Sequence, residues 1–410
     1  MIKTSIKNPF ARYAILFMLL VGSYFVFAVF SAFLPDRAIQ RHVKDAAASL
    51  YVAGNYPKAL IDENVCQMDN FTDALILNQI YSIDRHQPVR SAMRMTRWQA
   101  EPVADQTSSL YWKTLGATEL QSEDYFHYWH GSSFLYRFLL MFFSFSQIKL
   151  LMYITVMLLM FFFFRCYYPL AGFWNSLAFL LSWILVYGFV MPASLQFFPM
   201  LAISLIACLL VIRCRKNPQA LGTVFFVAAS LSAYFDLLTV PLLSFGWPFA
   251  VWLTLPDKKT LTMQNGLRNM VVWGLLWVAG YGLTFLAKWA LGALVLGFGY
   301  LPGAFEAGLY RLGAEDFTRW NGVMENVKLL PGIIITLVVL LFLVVGILRS
   351  KGKFGAREIL LMLTALIPYV WYLVLANHSY QHFWFTYRLQ AVTICAVLMS
   401  LLGTTRRNNI

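Results

Sequence analysis

The chain has 410 residues, 60% of them apolar and only 12% charged, with 17% aromatic side chains and a formal net charge of +13. Soluble domains run nearer half apolar and a quarter charged, so an ordinary soluble protein is excluded, as are disordered, collagen-like, coiled-coil and disulfide-scaffold chains. In a soluble protein the positive excess would point to nucleic acid. In a membrane chain, basic residues held in cytoplasmic loops account for it, and no nucleic-acid partner is expected.

A membrane helix takes roughly 20 mainly apolar residues. The first candidate is Tyr13 to Leu34, preceded by Lys3, Lys7 and Arg12. It is too long for a signal-peptide core and has no clear small-residue cleavage site, so residues 1–34 read as a cytoplasmic tail and a retained anchor. Residues 35–147 follow as an external loop. Within it, Asp36–Val52 has helical periodicity and is broken by Gly54-Asn55-Tyr56-Pro57. Asp62, Glu63 and Asn64 come next, then a helix expected from Asp69, which sets Asp69 and Asp73 on one face. Asp69 has two readings: the N-cap of a helix that docks Ala74, Leu75 and Leu77, or a general base or cation ligand beside the membrane. Ser132–Ser146 is apolar but short and carries Arg137, and is expected to lie along the outer leaflet as an interfacial helix.

Residues 148–410 read as a nine-helix region with short loops, its apolar runs near 148–164, 172–190, 195–212, 219–234, 238–255, 268–295, 329–348, 358–376 and 389–403. Basic clusters fall between them: Arg213, Arg215 and Lys216; Lys258, Lys259 and Arg268; Arg349, Lys351, Lys353 and Arg357; Arg406 and Arg407. If each run crosses once, every cluster lands in the cytoplasm, as the positive-inside rule requires. Counting Ser132–Ser146 as a further span would put Arg213–Lys216 outside. The expected fold class is therefore all-α: a polytopic membrane protein of about ten spans, with a helical first external loop, an interfacial helix and both termini cytoplasmic. Among the acidic residues only Asp257 and Glu358 fall inside, so the carboxylates, and with them the chemistry, belong to the outer face.

Of five cysteines only Cys66 is clearly external, and no CxxC or zinc spacing exists. Of six histidines, His42 and His86 are isolated and expected to be solvated. The other four form two pairs, His127 with His130 and His378 with His382, whose spacings put each pair on one helical face. Each pair is open to three readings: a divalent cation shared with Asp69 and Asp73, a substrate or phosphate contact, or interfacial packing. Arg388 closes the dense segment Asn377–Arg388 (NHSYQHFWFTYR), where a cation beside His378 and His382 suits a phosphate or pyrophosphate or else anchors the interface. Asp236, at a tight turn between apolar runs, is costly unless paired or facing a wet cavity. Lys288 lies inside a long apolar run. Arg311, Glu315, Asp316 and Arg319 lie in the loop 297–328, whose Gly297, Gly299, Pro302 and Gly303 suit a cover over a cavity.

This order of one span, a long external loop with an early Asp, a histidine ahead of an interfacial helix, and many spans with short outer loops resembles the GT-C class of membrane glycosyltransferases. Tyr128-Trp129-His130-Gly131 stands where many members carry a His-Pro-Pro type turn, although the two prolines are absent here. The resemblance covers the whole chain in architecture. It implies a glycosyltransferase that moves a sugar from a polyprenyl-phosphate donor to a glycan or lipid acceptor on the external face of a bacterial inner membrane. By position Asp69 corresponds to the catalytic carboxylate, with Asp73 its partner. The leaving lipid phosphate would be met by Arg388 with His378 or His382, while His127, His130 and Asp236 are further candidates for donor or substrate contact. The only cofactor left open is a divalent cation. No WWDxG sequence is present, which argues against transfer of a whole oligosaccharide to asparagine, and the Asn-x-Ser/Thr sites at Asn70 and Asn377 are discounted as glycan acceptors. Three other functions compete: a flippase or transporter of lipid-linked sugars, an O-acyltransferase with a histidine base, and a polysaccharide polymerase or ligase with a lipid-pyrophosphate donor, for which Arg311 and Arg319 would serve.

Overall fold

The computed structural model describes residues 8–60, 65–100, 105–255, 261–314, 317–349 and 355–402. Lys3, Lys7, Asp62, Glu63, Asn64, Asp257, Lys258, Lys259, Glu315, Asp316, Lys351, Lys353, Arg406 and Arg407, which enter the sequence reading, lie outside the described residues.

Helix α1 (Pro9–Phe33) starts on Asn8, whose side-chain oxygen accepts from the Phe10 N–H at 2.9 Å, with Pro9 at the first helical position. α2 (Asp36–Ala53) ends at Gly54, where φ is 77°, a conformation glycine adopts without steric cost. α3 (Asn70–Tyr81), α4 (Pro88–Arg94), α5 (Gln106–Thr114) and α6 (Gly131–Leu139) complete the helices of the loop region.

The region is helical, as expected, apart from one short ribbon: β1 (Thr96–Ala100) pairs antiparallel with β2 (Leu120–Asp124), Thr96 facing Asp124. Arg97 Nη2 and Glu123 Oε2, 2.8 Å apart, face each other across this short ribbon. The apolar run Ser132–Ser146 begins in α6, a nine-residue helix held by Arg137, which is 1% exposed. Arg137 Nε donates to Ser31 O at 3.0 Å, Nη1 to Ile80 O at 3.0 Å and Nη2 to Leu34 O at 3.2 Å, and the guanidinium pairs with Asp36. One arginine thus ties three carbonyls near the ends of α1 and α3 to the Asp36 carboxylate. An arginine in a short apolar run is here a buried clasp.

α7 (Phe145–Ile184) is 40 residues long. A straight helix of that length would extend about 60 Å, twice a hydrocarbon core. It instead breaks at Gly172 (φ 80°), three residues after Pro169, where the runs 148–164 and 172–190 meet. There follow α8 (Phe197–Cys214), α9 (Pro218–Phe235), α10 (Leu243–Thr254), α11 (Met263–Leu296), α12 (Leu301–Leu312), α13 (Arg319–Lys328), α14 (Gly332–Arg349), α15 (Ala356–Ala365), α16 (Ile367–Val374), α17 (Ala376–Gln381), α18 (Phe383–Thr386) and α19 (Gln390–Leu401).

Among the described residues seven helical stretches are long and apolar enough to cross a membrane, and the pair α13–α14, bent by 81°, makes eight. The difference from ten apolar runs has two sources. Two runs share α7, and the run 238–255 forms only the 12-residue α10. The loop 297–328 is also more ordered than its glycines suggest, since it forms α12 and α13. The main core lies between α7, α8, α9, α10, α11, α15 and α19, rich in Phe and Trp, while a second cluster joins α2, α3, α6 and the start of α7.

Candidate functional site

α3 begins as an N-capped helix. Asp69 Oδ1 accepts from the Thr72 N–H at 3.1 Å, so the capping reading of Asp69 is correct. Its second oxygen, Oδ2, accepts from Gln196 Nε2, which also lies 3.1 Å from Thr72 Oγ1. Burial and the nearby Asp73 carboxylate push the Asp69 carboxyl up to about 6 against the opposing hydrogen bonds. Asp73, one turn on, is occupied differently. Its Oδ2 lies 2.9 Å from Lys149 Nζ at the start of α7, and its Oδ1 accepts from the Leu195 N–H at 2.8 Å. Burial raises Asp73 while the Lys149 ammonium opposes the shift.

Gln196 and Thr72 are two walls of a cavity of ≈ 280 Å³, and Asp69 lies directly behind them. Tyr56, Tyr125, Tyr128 and Trp384 give it aromatic walls. Arg311, His378 and His382 supply its basic side chains. Arg311 projects from the last turn of α12, its Nε donating to Tyr128 Oη at 2.9 Å and its Cζ 5.2 Å from that ring. The Tyr128 and Tyr125 hydroxyls hold its pKa above the usual value against burial. Its Nη2 lies 3.3 Å from His127 Nε2.

His378 and His382 do come together, with ring centroids 4.8 Å apart. His378 Nε2 meets Leu238 O at 2.8 Å, and His382 stacks on Phe385. Burial, followed by the Arg311 charge, pushes His382 down to about 4, and burial with the neighbouring His382 holds His378 well below its ordinary value. Both imidazoles are neutral near pH 7, so the cation of the cavity is Arg311.

The remaining expected residues do not line this cavity. His127 and His130 belong to a turn before α6, which corrects the helical-face reading: His130 has φ 59° and its Nε2 is 2.6 Å from Tyr125 O. Burial and then Arg311 push His127 down to about 3. Asp236 caps the C-terminus of α9, its Oδ1 accepting from the Thr239 N–H at 2.9 Å and from the Thr239 hydroxyl, and burial lifts its carboxyl to about 7. Arg388 is 3% exposed, its Cζ 5.1 Å from the Phe197 ring and 5.0 Å from the Tyr387 ring. It does not line the cavity, and its Nη1 donates to the carbonyl oxygen of Trp384, a wall residue, at 3.4 Å. Arg319 Nη1 donates to Leu373 O at 2.8 Å, closing the end of α16. Lys288 Nζ donates to Met93 O at 2.9 Å near the end of α4. Asn70 and Asn377 donate to Gly54 O and Tyr310 O, at 3.0 and 2.9 Å. His42 is not simply solvated either, since its Nδ1 lies 2.8 Å from Leu140 O.

The divalent-cation reading needs donors that converge. Among the described residues no group of three or more His, Cys, Asp or Glu side chains is placed to hold a metal ion. Tyr56, Tyr125 and Trp384 are cavity residues that the sequence reading did not select. Only the aromatic density around Tyr125–Trp129 and Phe383–Tyr387 pointed towards them. Gln196, by contrast, ends the connecting segment Pro192–Gln196, a supporting candidate for the outer face.

Fold and site together define a mainly helical chain with apolar helices suited to a membrane and a small cavity carrying a guanidinium and neutral imidazoles, with a buried carboxylate bonded to two of its wall residues. No family model, curated protein or solved structure matches it.

Proposed function

We propose that the chain is a membrane glycosyltransferase of the GT-C type, moving a sugar from polyprenyl phosphate to a hydroxyl of a glycan or lipid acceptor. The observation that carries this reading is one cavity that Arg311 lines and whose wall residues Gln196 and Thr72 are hydrogen-bonded to Asp69, a buried carboxyl lifted to about 6. A general base works best with a pKa near the operating pH, and a departing phosphate needs a cation more than an acid. In the reaction the acceptor O–H gives its proton to the Asp69 carboxylate and its oxygen attacks the anomeric carbon. The bond from that carbon to the phosphate oxygen breaks, and its electron pair leaves with the lipid phosphate, facing Arg311. Configuration at carbon inverts.

Gln196 has a defined part in this scheme. Its amide occupies Asp69 Oδ2, the position the acceptor hydroxyl would take, and Thr72 Oγ1 offers the displaced amide an alternative partner. Tyr56 and Trp384 supply flat faces for a sugar ring, and His378 and His382, neutral, supply hydrogen bonds without repelling Arg311. About ten crossings, an external site, cytoplasmic termini and residence in a bacterial inner membrane belong to the same proposal, and the basic clusters support that orientation.

The test is sugar transfer by purified protein from polyprenyl-phosphate sugars to a panel of acceptors, comparing wild type with Asp69→Asn and Arg311→Ala. Undiminished transfer by Asp69→Asn would remove the carboxylate-base mechanism. Arg311 at the cavity also suits a lipid-pyrophosphate donor, so the same assay includes one. Turnover of that donor alone would favour the polymerase or ligase reading.

A further inference from the structure

α8 starts at Phe197 beside the candidate site and ends at Cys214, about 27 Å further on at 1.5 Å per residue. At that far end lies a second concavity, of ≈ 460 Å³. Its cations arrive from two elements: Arg215 and Lys216 follow α8, and Arg268 comes from the first turns of α11, with Asn265 and Asn269 beside it. Trp252 and Trp273 form its floor, with ring centroids 4.8 Å apart at 81°. Trp273 is 2% exposed and stacks on Phe225 at 5.4 Å and 19°, so the floor is fixed by the core. Arg215 Nη1 donates to Ile212 O at 3.1 Å, while its Nε is buried with no hydrogen-bond partner. No carboxylate lines the concavity among the described residues.

We propose that this concavity binds the phosphodiester headgroup of an anionic phospholipid from the leaflet on that side. Basic residues that only orient a membrane chain need to lie on one side of it and nothing more. They need not converge from two elements on a packed tryptophan pair, nor leave a buried N–H unpaired, an arrangement that native structures rarely keep. A basic pocket between helices at headgroup depth is a site for an anionic head. A zwitterionic lipid would bring its ammonium among three cations. Free phosphate would leave the partly exposed Trp252 and Leu261, at the same concavity, without the acyl chain they can cover. The site is independent of the sugar-transfer reading, which concerns the other end of α8.

The test uses the full-length protein in detergent, with phosphatidylglycerol, phosphatidylcholine and inorganic phosphate as probes, read by native mass spectrometry and by thermal shift. Wild type is expected to retain phosphatidylglycerol over phosphatidylcholine and to gain thermal stability from it, with retention falling as salt is raised. Each arginine replaced in Arg215→Gln and Arg268→Gln should lower retention on the order of fivefold. Arg268 is exposed, so Arg268→Gln alone keeps the test valid if the Arg215 variant does not fold. Equal retention of the two lipids, unchanged retention in Arg268→Gln, or equal protection by inorganic phosphate would each overturn the proposal.

Discussion

Lys149 Nζ lies 2.9 Å from Asp73 Oδ2, and this ion pair divides the work of two carboxylates one helical turn apart. Asp73 is 1% exposed and tied to α7 and to the Leu195 N–H, whereas the partners of Asp69 are a cap N–H and a displaceable glutamine. Asp73→Ala leaves the ammonium and a backbone N–H without their partner and should destabilise the fold by roughly 3 kcal/mol. Lys149→Ala should cost less, because its side chain is 19% exposed, and the double variant should cost less than the sum. Thermal unfolding of the four proteins checks this, and a fully stable Asp73→Ala would show that the pair does not join α3 to α7.

Asp69 should behave in the opposite way. Its folded-state carboxyl is raised, so the stability it contributes is fully present below the ordinary carboxyl value of 3.8 and is lost as pH rises through about 6. At pH 7.5 the buried carboxylate is therefore a burden on the fold, of roughly 3 kcal/mol at most. Asp69→Asn keeps a capping oxygen and should raise the melting temperature at pH 7.5 but not at pH 4, while abolishing sugar transfer. The wild-type rate should fall as pH drops through about 6. A melting temperature lowered at pH 7.5 would contradict the buried-base account.

Arg311 separates cation chemistry from histidine chemistry. Because His382 is held at about 4 and His378 well below its ordinary value, neither should add a limb to the pH profile between pH 5 and 8. Arg311→Ala should raise the KM for a lipid-phosphate donor on the order of tenfold or more, as expected for the loss of charge-assisted hydrogen bonds. Arg311→Lys should rescue only part of this, since an ammonium cannot hold Tyr128 and a phosphate with one planar fork. Equal kinetics for the Lys and Ala variants would support a geometric role alone. A profile limb that disappears in His382→Gln would overturn the neutral assignment.

The parts legible in the sequence are those set by local pattern. Apolar runs located the long helices, Gly54 ended α2, and the spacing from Asp69 gave α3 with its cap. What was not legible depended on distant partners. Arg311 meets Tyr128 across 183 positions of sequence, so no local motif announces their cavity. Arg388 looked like an open cation because Arg favours interfaces, yet the rings of Phe197 and Tyr387 enclose it. The spacing of His127 and His130 resembled one helical turn, but His130 takes a left-handed conformation and spends its Nε2 on Tyr125 O. In β1, the pentapeptide TRWQA is too short for alternation to stand out against a helical background.

That turn makes a sharp prediction about Gly131, the first residue of α6. A Cβ added there would lie 2.5 Å from Tyr234 ring carbons and 2.7 Å from the Tyr234 carbonyl oxygen. Tyr234 has little room to yield, since it stacks on Tyr24 at 4.2 Å and 12° and packs at 5.6 Å from Trp129. Ser132 adds a hydrogen bond of 2.8 Å to Phe235 O, fixing the helix start against the end of α9. Gly131→Ala should therefore cost about 2–3 kcal/mol by overpacking and shift α6, and with it the Arg137 clasp. Gly303 in α12 is the comparison: its added Cβ would meet only Phe126, at 3.9 Å, so Gly303→Ala should raise stability by about 0.5–1 kcal/mol through helix propensity. Melting temperatures moving in opposite directions for these two substitutions would bear out the close approach of α6 to α9. A neutral Gly131→Ala would mean that the two helices are not in contact at that point.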